Sequence, residues 1–464
     1  MSAERRPLFQ QGKERLNNPS LALIHVTEIH GVPGVKYDIA TVRDPYHSAL
    51  GGWRITTADK LLTEYDKAKN ENSLHIASIM EQEGISKDAL ARAGILESYQ
   101  LAGEMSNKWA GMRSTLRNGI DHHPDVYGEH TTELVTNRDA WLSASTMDGG
   151  TKGILVVTDP DAYANITDEQ RESLMEQHGK HMIALNKRRP ADAGDDVMYY
   201  TAPDMGSSEA MMNRISEYTD GKFVACYSEE KGGTGNPSPT TALGVAYGTK
   251  AVVEVLGMRQ DGKNVTFAVQ GAAGEVGADL VRYLRENHPN AQIAVADVDK
   301  KREKIKELEE MQGVVSVAAN EIFTAGTIFV PSGPPGQLNH DTLPAMKQAG
   351  VRAVVGPANY LWTAGREEML AEEFRSADII VAPAPEVNQG GIRSILPQFV
   401  EQITDRKPAQ TVAHKSVADV EPMTAQILED ALHRGVTPDQ VFQEIAYDEY
   451  AKRCEEIGVF EHTK

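Results

Sequence analysis

Cysteine and positive charge are both scarce in this 464-residue sequence. The only cysteines are Cys226 and Cys454, and 47 Lys and Arg stand against 67 Asp and Glu. Two cysteines cannot build a disulfide framework, and their isolation gives no zinc-cluster spacing, so a reducing cytoplasm is the expected setting. A net charge of −20 argues against nucleic acid or an anionic membrane as partner, because phosphate-rich surfaces recruit basic patches. Long apolar runs are missing as well. The opening MSAERRPLFQQGKERLNN has no apolar core of the signal-peptide kind, and no later stretch nears the roughly 18 apolar residues of a membrane span. Internal repeats and low-complexity tracts are absent too. What remains is a chain 40% hydrophobic, too long for one ordinary core and expected to divide into two domains.

Changes in hydrophobic period mark the parts. Residues from about 20 to 60 read as short strands, with alternation in VKYDIATV (Val35 to Val42) followed by the turn-like DPYHSALGG. Leu101, Met105, Trp109 and Met112 then recur at helical spacing, which places Lys108 on or beside an inward stripe. Arg113 to Thr146 is polar and has no sustained period. GILVV (Gly153 to Val157) and VMYY (Val197 to Tyr200) read as strands, and Thr167 with Gln170 forms a capping box for the helix between them. From about Cys226 onward strands alternate with helices, the pattern of a parallel α/β sheet: VTFAVQ, QIAVADV, TIFVP, AVVG and IIVAP are its strand candidates. The tail from Glu421 is helical. The expected fold class is α/β, with an N-terminal α/β substrate domain over 1–227, a Rossmann-type domain over 228–420 and C-terminal helices over 421–464 that return to the first domain.

Gly271, Gly274 and Gly277 lie between a predicted strand and a predicted helix, where a dinucleotide fold needs a tight turn and close backbone approach to a pyrophosphate. Their spacing, G-x-x-G-x-x-G, is one residue longer than the usual fingerprint. Asp297, at the end of the next strand, is suited to bind ribose hydroxyls and favours NAD, because it repels a 2′-phosphate. Lys300, Lys301 and Arg302 follow so closely that NADP stays open. In the segment around Asp121 to His130, the residues His122, His123, Asp125, Glu129 and His130 are metal-capable, but their spacing fixes no helix face, and no metal is expected.

The sequence resembles the glutamate/leucine/phenylalanine/valine dehydrogenase family, in order along most of the chain. ALGGWR (Ala49 to Arg54) is similar to the family's glycine pair followed by arginine. MDGGTKG (Met147 to Gly153) resembles the glycine-rich segment ending in the catalytic lysine, and TAPDMG (Thr201 to Gly206) the segment bearing the catalytic aspartate. TGNPSPTTALGV (Thr234 to Val245), FVPSGPPGQLNHDTL, VVGPANYL and VAPAPEVNQGGI resemble the segments that build the nucleotide domain. AGEMSNK, ending at Lys108, is similar to the helix that carries the family's carboxylate-binding lysine, which implies an insertion at about 113–146 before Lys152.

The resemblance implies NAD(P)-dependent oxidative deamination of an L-amino acid to the 2-oxo acid and ammonia, by a homo-oligomeric cytoplasmic enzyme. It assigns Lys152 and Asp204 to catalysis, and Lys108, Gly51 and Gly52 to the substrate. Thr241, Asn359 and Asn388 fall to the cofactor side. Where the glutamate-specific branch has a lysine before the paired glycines this sequence has Leu50, and Ile392 and Ile395 occupy positions that are apolar in leucine-type enzymes. An acidic side chain is costly to bury among such groups, so an aliphatic or aromatic substrate is expected, with Arg393 and the insertion as the features that oppose this expectation. The alternatives are a dehydrogenase of a related amine or amino-acid-like metabolite, and a non-catalytic NAD-binding regulator.

Overall fold

Alternation in the C-terminal half separates two faces of one sheet. Phe267, Val269, Ile293 and Val295 belong to one buried cluster, while Ala268, Ala294, Ala296 and Phe329 belong to another, as strands with a period of two require when both faces are covered. The computed structural model describes residues 10–11, 13–15, 18, 21–67, 88–194, 196–258, 265–298, 301–333, 336–359, 361–362 and 366–458. These divide into two units. The first takes residues up to 110, 144–236 and 446 onward; the second takes 111–143 and 237–445.

The first unit carries a five-stranded sheet of order β1-β2-β4-β3-β5. Its strands are β1 (Ala22–Glu28), β2 (Val35–Arg43), β3 (Ala49–Thr57), β4 (Thr151–Val157) and β5 (Tyr199–Pro203). β1, β2 and β4 pair antiparallel, whereas β3 runs parallel to both β4 and β5. The helix Ala89–His122 approaches the sheet closely at Gly94, where an added Cβ would lie 2.5 Å from Ile39. The helix Asp168–Lys187 opens on the expected capping box of Thr167 and Gln170 and buries Leu174 and Met175 against Trp53 and Leu155.

The second unit holds a six-stranded parallel sheet of β6 (Thr266–Gln270), β7 (Gln292–Ala296), β8 (Val314–Ser316), β9 (Ile328–Pro331), β10 (Ala353–Val354) and β11 (Ile380–Val381). Its order, β11-β10-β9-β6-β7-β8, is that of a doubly wound dinucleotide fold, with the strand order reversing between β6 and β9. The α/β class, the Rossmann-type sheet and the helical C-terminus are thus as expected from sequence. No helix among the described residues is long and apolar enough to cross a membrane.

Three local expectations are corrected. Ala49 to Gly52 is not a turn but the start of β3, paired with Tyr199 to Ala202 of β5; glycine normally signals a break, yet here its lack of a side chain is what lets strands approach. Arg113 to Thr146 is helical in pieces: Ala89–His122 runs on through Arg113, and Pro124–His130, Thr131–Thr136 and Arg138–Ala144 follow. Pieces of six or seven residues are too short to display a period of 3.6. The strand expected at Val197 to Tyr200 is displaced to Tyr199–Pro203.

Candidate functional site

Lys152 stands second in β4, paired with Thr41 of β2. Its carbonyl accepts a hydrogen bond from Ser98 Oγ of the long helix at 2.7 Å, which fixes the backbone from which the side chain projects. The residue is 2% exposed, and its Nζ is ion-paired with Asp204 Oδ2. Asp204 follows β5 directly. Its backbone N–H donates to Ser207 Oγ at 2.7 Å and its Oδ1 accepts from Met205 N–H at 2.6 Å, so the carboxylate is held by its own turn. Arg54 Nε lies 3.7 Å from Asp204 Oδ1, and its Nη1 donates to Glu97 Oε1 at 3.2 Å.

Two close approaches explain the glycine pair. A Cβ on Gly51 would fall 1.6 Å from the Thr151 carbonyl oxygen, and one on Gly52 would fall 2.6 Å from Asp204 Cβ. Contacts this short exclude any side chain, so Gly51 brings β3 against β4 beside Lys152, and Gly52 leaves room for Asp204. Leu50, the preceding residue, is buried.

Electrostatics set Lys152 and Lys108 apart from ordinary surface lysines. Burial pushes the Lys152 ammonium well below its usual value, and the nearby Arg54 and Lys108 charges add to that, against Glu104 and Glu97. Lys108, also buried, is lowered to about 8 by burial, with Glu104 working the other way. A lysine kept out of water beside other cations can lose its proton near neutral pH.

In the second unit, Gly271 follows β6 directly with φ +71°, and a Cβ there would meet the Ser332 carbonyl oxygen beyond β9 at 2.6 Å. The turn therefore sits at the point where the strand order reverses. Gly274 is the N-cap of the helix Glu275–Asn287, whose first turn has no side-chain cap. A Cβ on Gly277 would press to 2.3 Å from the Gly271 carbonyl oxygen. A glycine turn feeding an uncapped helix N-terminus suits a pyrophosphate. Asp297 stands just beyond β7, and its carboxylate accepts from Ala273 N–H at 3.0 Å and lies 3.6 Å from Lys301 Nζ, so it borders the glycine turn. Lys300 lies outside the described residues.

The remaining candidates of this unit fall into small groups. Asn388 Nδ2 donates to Asn359 Oδ1 at 2.7 Å and to the Pro357 carbonyl at 2.9 Å, which brings the two asparagines together. Thr241 Oγ1 donates to the Pro237 carbonyl and lies 2.7 Å from where a Cβ on Gly391 would be. Ile392 and Ile395 are buried near it in sequence. Arg393 is fully buried, with hydrogen bonds to Gln389, the Ser416 carbonyl and Asp419.

Sequence reasoning did not single out Glu97, Ser98, Glu104 or Ser207. Arg54 was visible only as the last letter of ALGGWR. The four others have unremarkable surroundings in sequence, and no local pattern could have found them. Among the described residues, none of His122, His123 and His130 joins a metal-capable group. Among the described residues such a group forms instead from Asp44, His47 and Cys454, where Arg15 already takes both Asp44 oxygens and Tyr450 a further contact.

No protein-family model matches the chain. It is 30% identical over 303 residues to an L-tryptophan dehydrogenase of Nostoc punctiforme, covering 65% of this chain and 74% of that one. It is 29% identical over 279 residues to a leucine dehydrogenase of Geobacillus stearothermophilus, covering 60% and 69%. Among solved structures, the L-tryptophan dehydrogenase from Nostoc punctiforme superposes with a TM-score of 0.58 at 22% identity, over 96% of this chain and 99% of that one. The hetero-hexameric glutamate dehydrogenase from Thermus thermophilus superposes with a TM-score of 0.62 at 16% identity, over 96% and 94%.

Proposed function

We propose that this chain, which belongs to the glutamate/leucine/phenylalanine/valine dehydrogenase family, oxidatively deaminates an L-amino acid with an uncharged aliphatic or aromatic side chain, with Lys152 and Asp204 handling the protons. As a family member it is an amino-acid dehydrogenase that works with a nicotinamide cofactor. The observation that carries the residue assignment is the buried contact of Lys152 with Asp204, beside a glycine pair that leaves no space for any other side chain.

A bound nicotinamide supplies the hydride acceptor for the substrate Cα–H. The chain's own residues do the rest. Lys108 pairs with the α-carboxylate and fixes the orientation of Cα. Lys152, with its proton loosened by burial, takes a proton from the water that attacks the imine carbon and returns it as ammonia leaves. Asp204 exchanges a proton with the substrate nitrogen, with Arg54 Nε 3.7 Å from its Oδ1. Thr241, Asn359 and Asn388 belong to the cofactor and substrate-orienting side of this proposal. A homo-oligomeric, cytoplasmic state belongs to it as well; the two free cysteines are in keeping with a reducing compartment, and the oligomeric neighbour is a hetero-hexamer.

Substrate choice rests on the apolar character of Leu50, Ile392 and Ile395, none of which can pair with an acidic side chain. Arg393 is committed to Asp419. Purified protein is therefore expected to oxidise leucine, valine, phenylalanine or tryptophan faster than glutamate. A panel followed by NADH absorbance, in which glutamate came out fastest, would overturn this.

Cofactor choice rests on Asp297. Its carboxylate beside the glycine turn suits the hydroxyls of an unphosphorylated ribose, whereas Lys301 pulls the other way. The expected result is a higher kcat/KM with NAD than with NADP; the reverse order would mean that the basic residues after Asp297 dominate.

A further inference from the structure

An ionised carboxylate in the core of a strand is a costly residue unless it organises something. Asp38 of β2 is 0% exposed. Its Oδ1 accepts from Trp53 Nε1 at 3.0 Å, and its Oδ2 lies 2.6 Å from His178 Nδ1 and 3.3 Å from His181 Nδ1. Burial alone would raise this carboxyl, but the two histidines and the hydrogen bonds outweigh it and hold Asp38 below the usual carboxylate range. His181 is lowered to about 4 by burial. His25 stands edge-on to it with ring centroids 4.6 Å apart, and the Arg188 charge acts on His25. From Asp38 the network continues: the His178 ring stacks on Trp53 at 3.9 Å, and its Nε2 lies 3.2 Å from Thr201 Oγ1.

The two ends of this network flank the glycine pair. Trp53 follows Gly52, and Thr201 is the β5 partner of Gly51 and stands three residues before Asp204. Strand register is ordinarily secured by facing side chains, and Gly51 and Gly52 have none to offer. The tie through Asp38 and His178 supplies that lock from behind. We propose that Asp38 and His178 are positioning residues for the reaction, fixing Trp53 and Thr201 and thereby the spacing between β3 and β5 on which the placement of Asp204 against Lys152 depends. This rests on Lys152 and Asp204 being the chemical groups.

Because an ionised Asp38 can only accept, His178 must carry a proton on Nδ1, and the Thr201 hydroxyl, which can donate or accept, completes the contact at Nε2. Thr201→Val keeps the shape and removes the hydroxyl, while Thr201→Ser keeps the hydroxyl. The expected result is a kcat for the best amino acid about tenfold lower in Thr201→Val at a nearly unchanged KM for NAD, with Thr201→Ser restored to within about twofold of wild type, since sub-ångström misplacement acts on chemistry before binding. Nitrogen NMR of the histidines should show His178 protonated at Nδ1. Wild-type kinetics in Thr201→Val, an equal loss in both variants, or an Nε2–H tautomer at His178 would each overturn the proposal. Wild-type protein that oxidises no amino acid would instead refute the underlying assignment, so the two failures are distinguishable; the tautomer still decides the network should either variant fail to fold.

Discussion

Lys152→Ala is expected to lower kcat by about 100-fold or more while leaving NADH affinity unchanged, because a transition-state proton carrier is worth that much and the glycine turn for the nucleotide is built in the other unit. The fold should tolerate the change. Asp204 would lose its ammonium partner, but Arg54 remains 3.7 Å from its Oδ1 and the Ser207 and Met205 contacts hold its turn. Lost turnover with retained NADH binding, measured by steady-state rates and a fluorescence titration, is the signature sought. Full activity in the variant would sink the mechanism.

The contrast with Lys108 sharpens that test. In the proposed mechanism Lys108 acts as a charge, so Lys108→Ala should raise the KM for the amino acid much more than it lowers kcat, and an unchanged KM would assign the carboxylate to another cation. The same division has a pH signature. Lys152 must lose its proton to act as base, which gives a limb that rises with pH. Lys108 must keep its proton to bind carboxylate, and its ammonium form, lowered to about 8, is lost as pH rises through that value. The profile of kcat/KM, which reports the free enzyme, should therefore turn down above about pH 8, and Lys108→Ala should remove that upper limb.

Sequence made legible whatever is written in local patterns. The strands of the second unit announced themselves because fully buried parallel strands are short continuous apolar runs ending in turn residues, and the capping box at Thr167 is a pattern of two residues a fixed distance apart. Gly51 and Gly52 were recognisable as a motif, but the closeness of the strands was not: a Cβ on Gly51 would fall 1.6 Å from the Thr151 carbonyl oxygen, on a strand about a hundred residues away in sequence. Asp38 is the clearest illegible case. An acid inside VKYDIATV reads as the polar half of an alternation, and only the convergence of Trp53, His178 and His181 on it reveals a buried hub. The helices after Arg113 were missed because each spans no more than about two turns, too few for a period of 3.6 to show.

Arg393 provides the second large effect, on stability. Its guanidinium, with no exposure, is held by Gln389 and by the Ser416 carbonyl, and donates to Asp419 Oδ2 at 2.9 Å; Tyr127, from the segment expected to be inserted, donates to the same oxygen at 2.7 Å. Burial pushes the Asp419 carboxyl upward and Arg393 counters it. Arg393→Met would leave a buried carboxylate without its cation, and removing one partner of such a pair costs about 3–5 kcal/mol. The urea midpoint should fall accordingly, and Arg393→Met combined with Asp419→Leu should recover part of the loss, because an apolar pair needs no desolvation of charge. If Arg393 is the internal tie that this geometry describes, whatever folded variant remains should keep the wild-type preference for leucine over glutamate. A stable Arg393→Met enzyme with altered preference would instead make Arg393 a substrate-recognising cation, and the argument from Leu50, Ile392 and Ile395 for an uncharged side chain would fall with it.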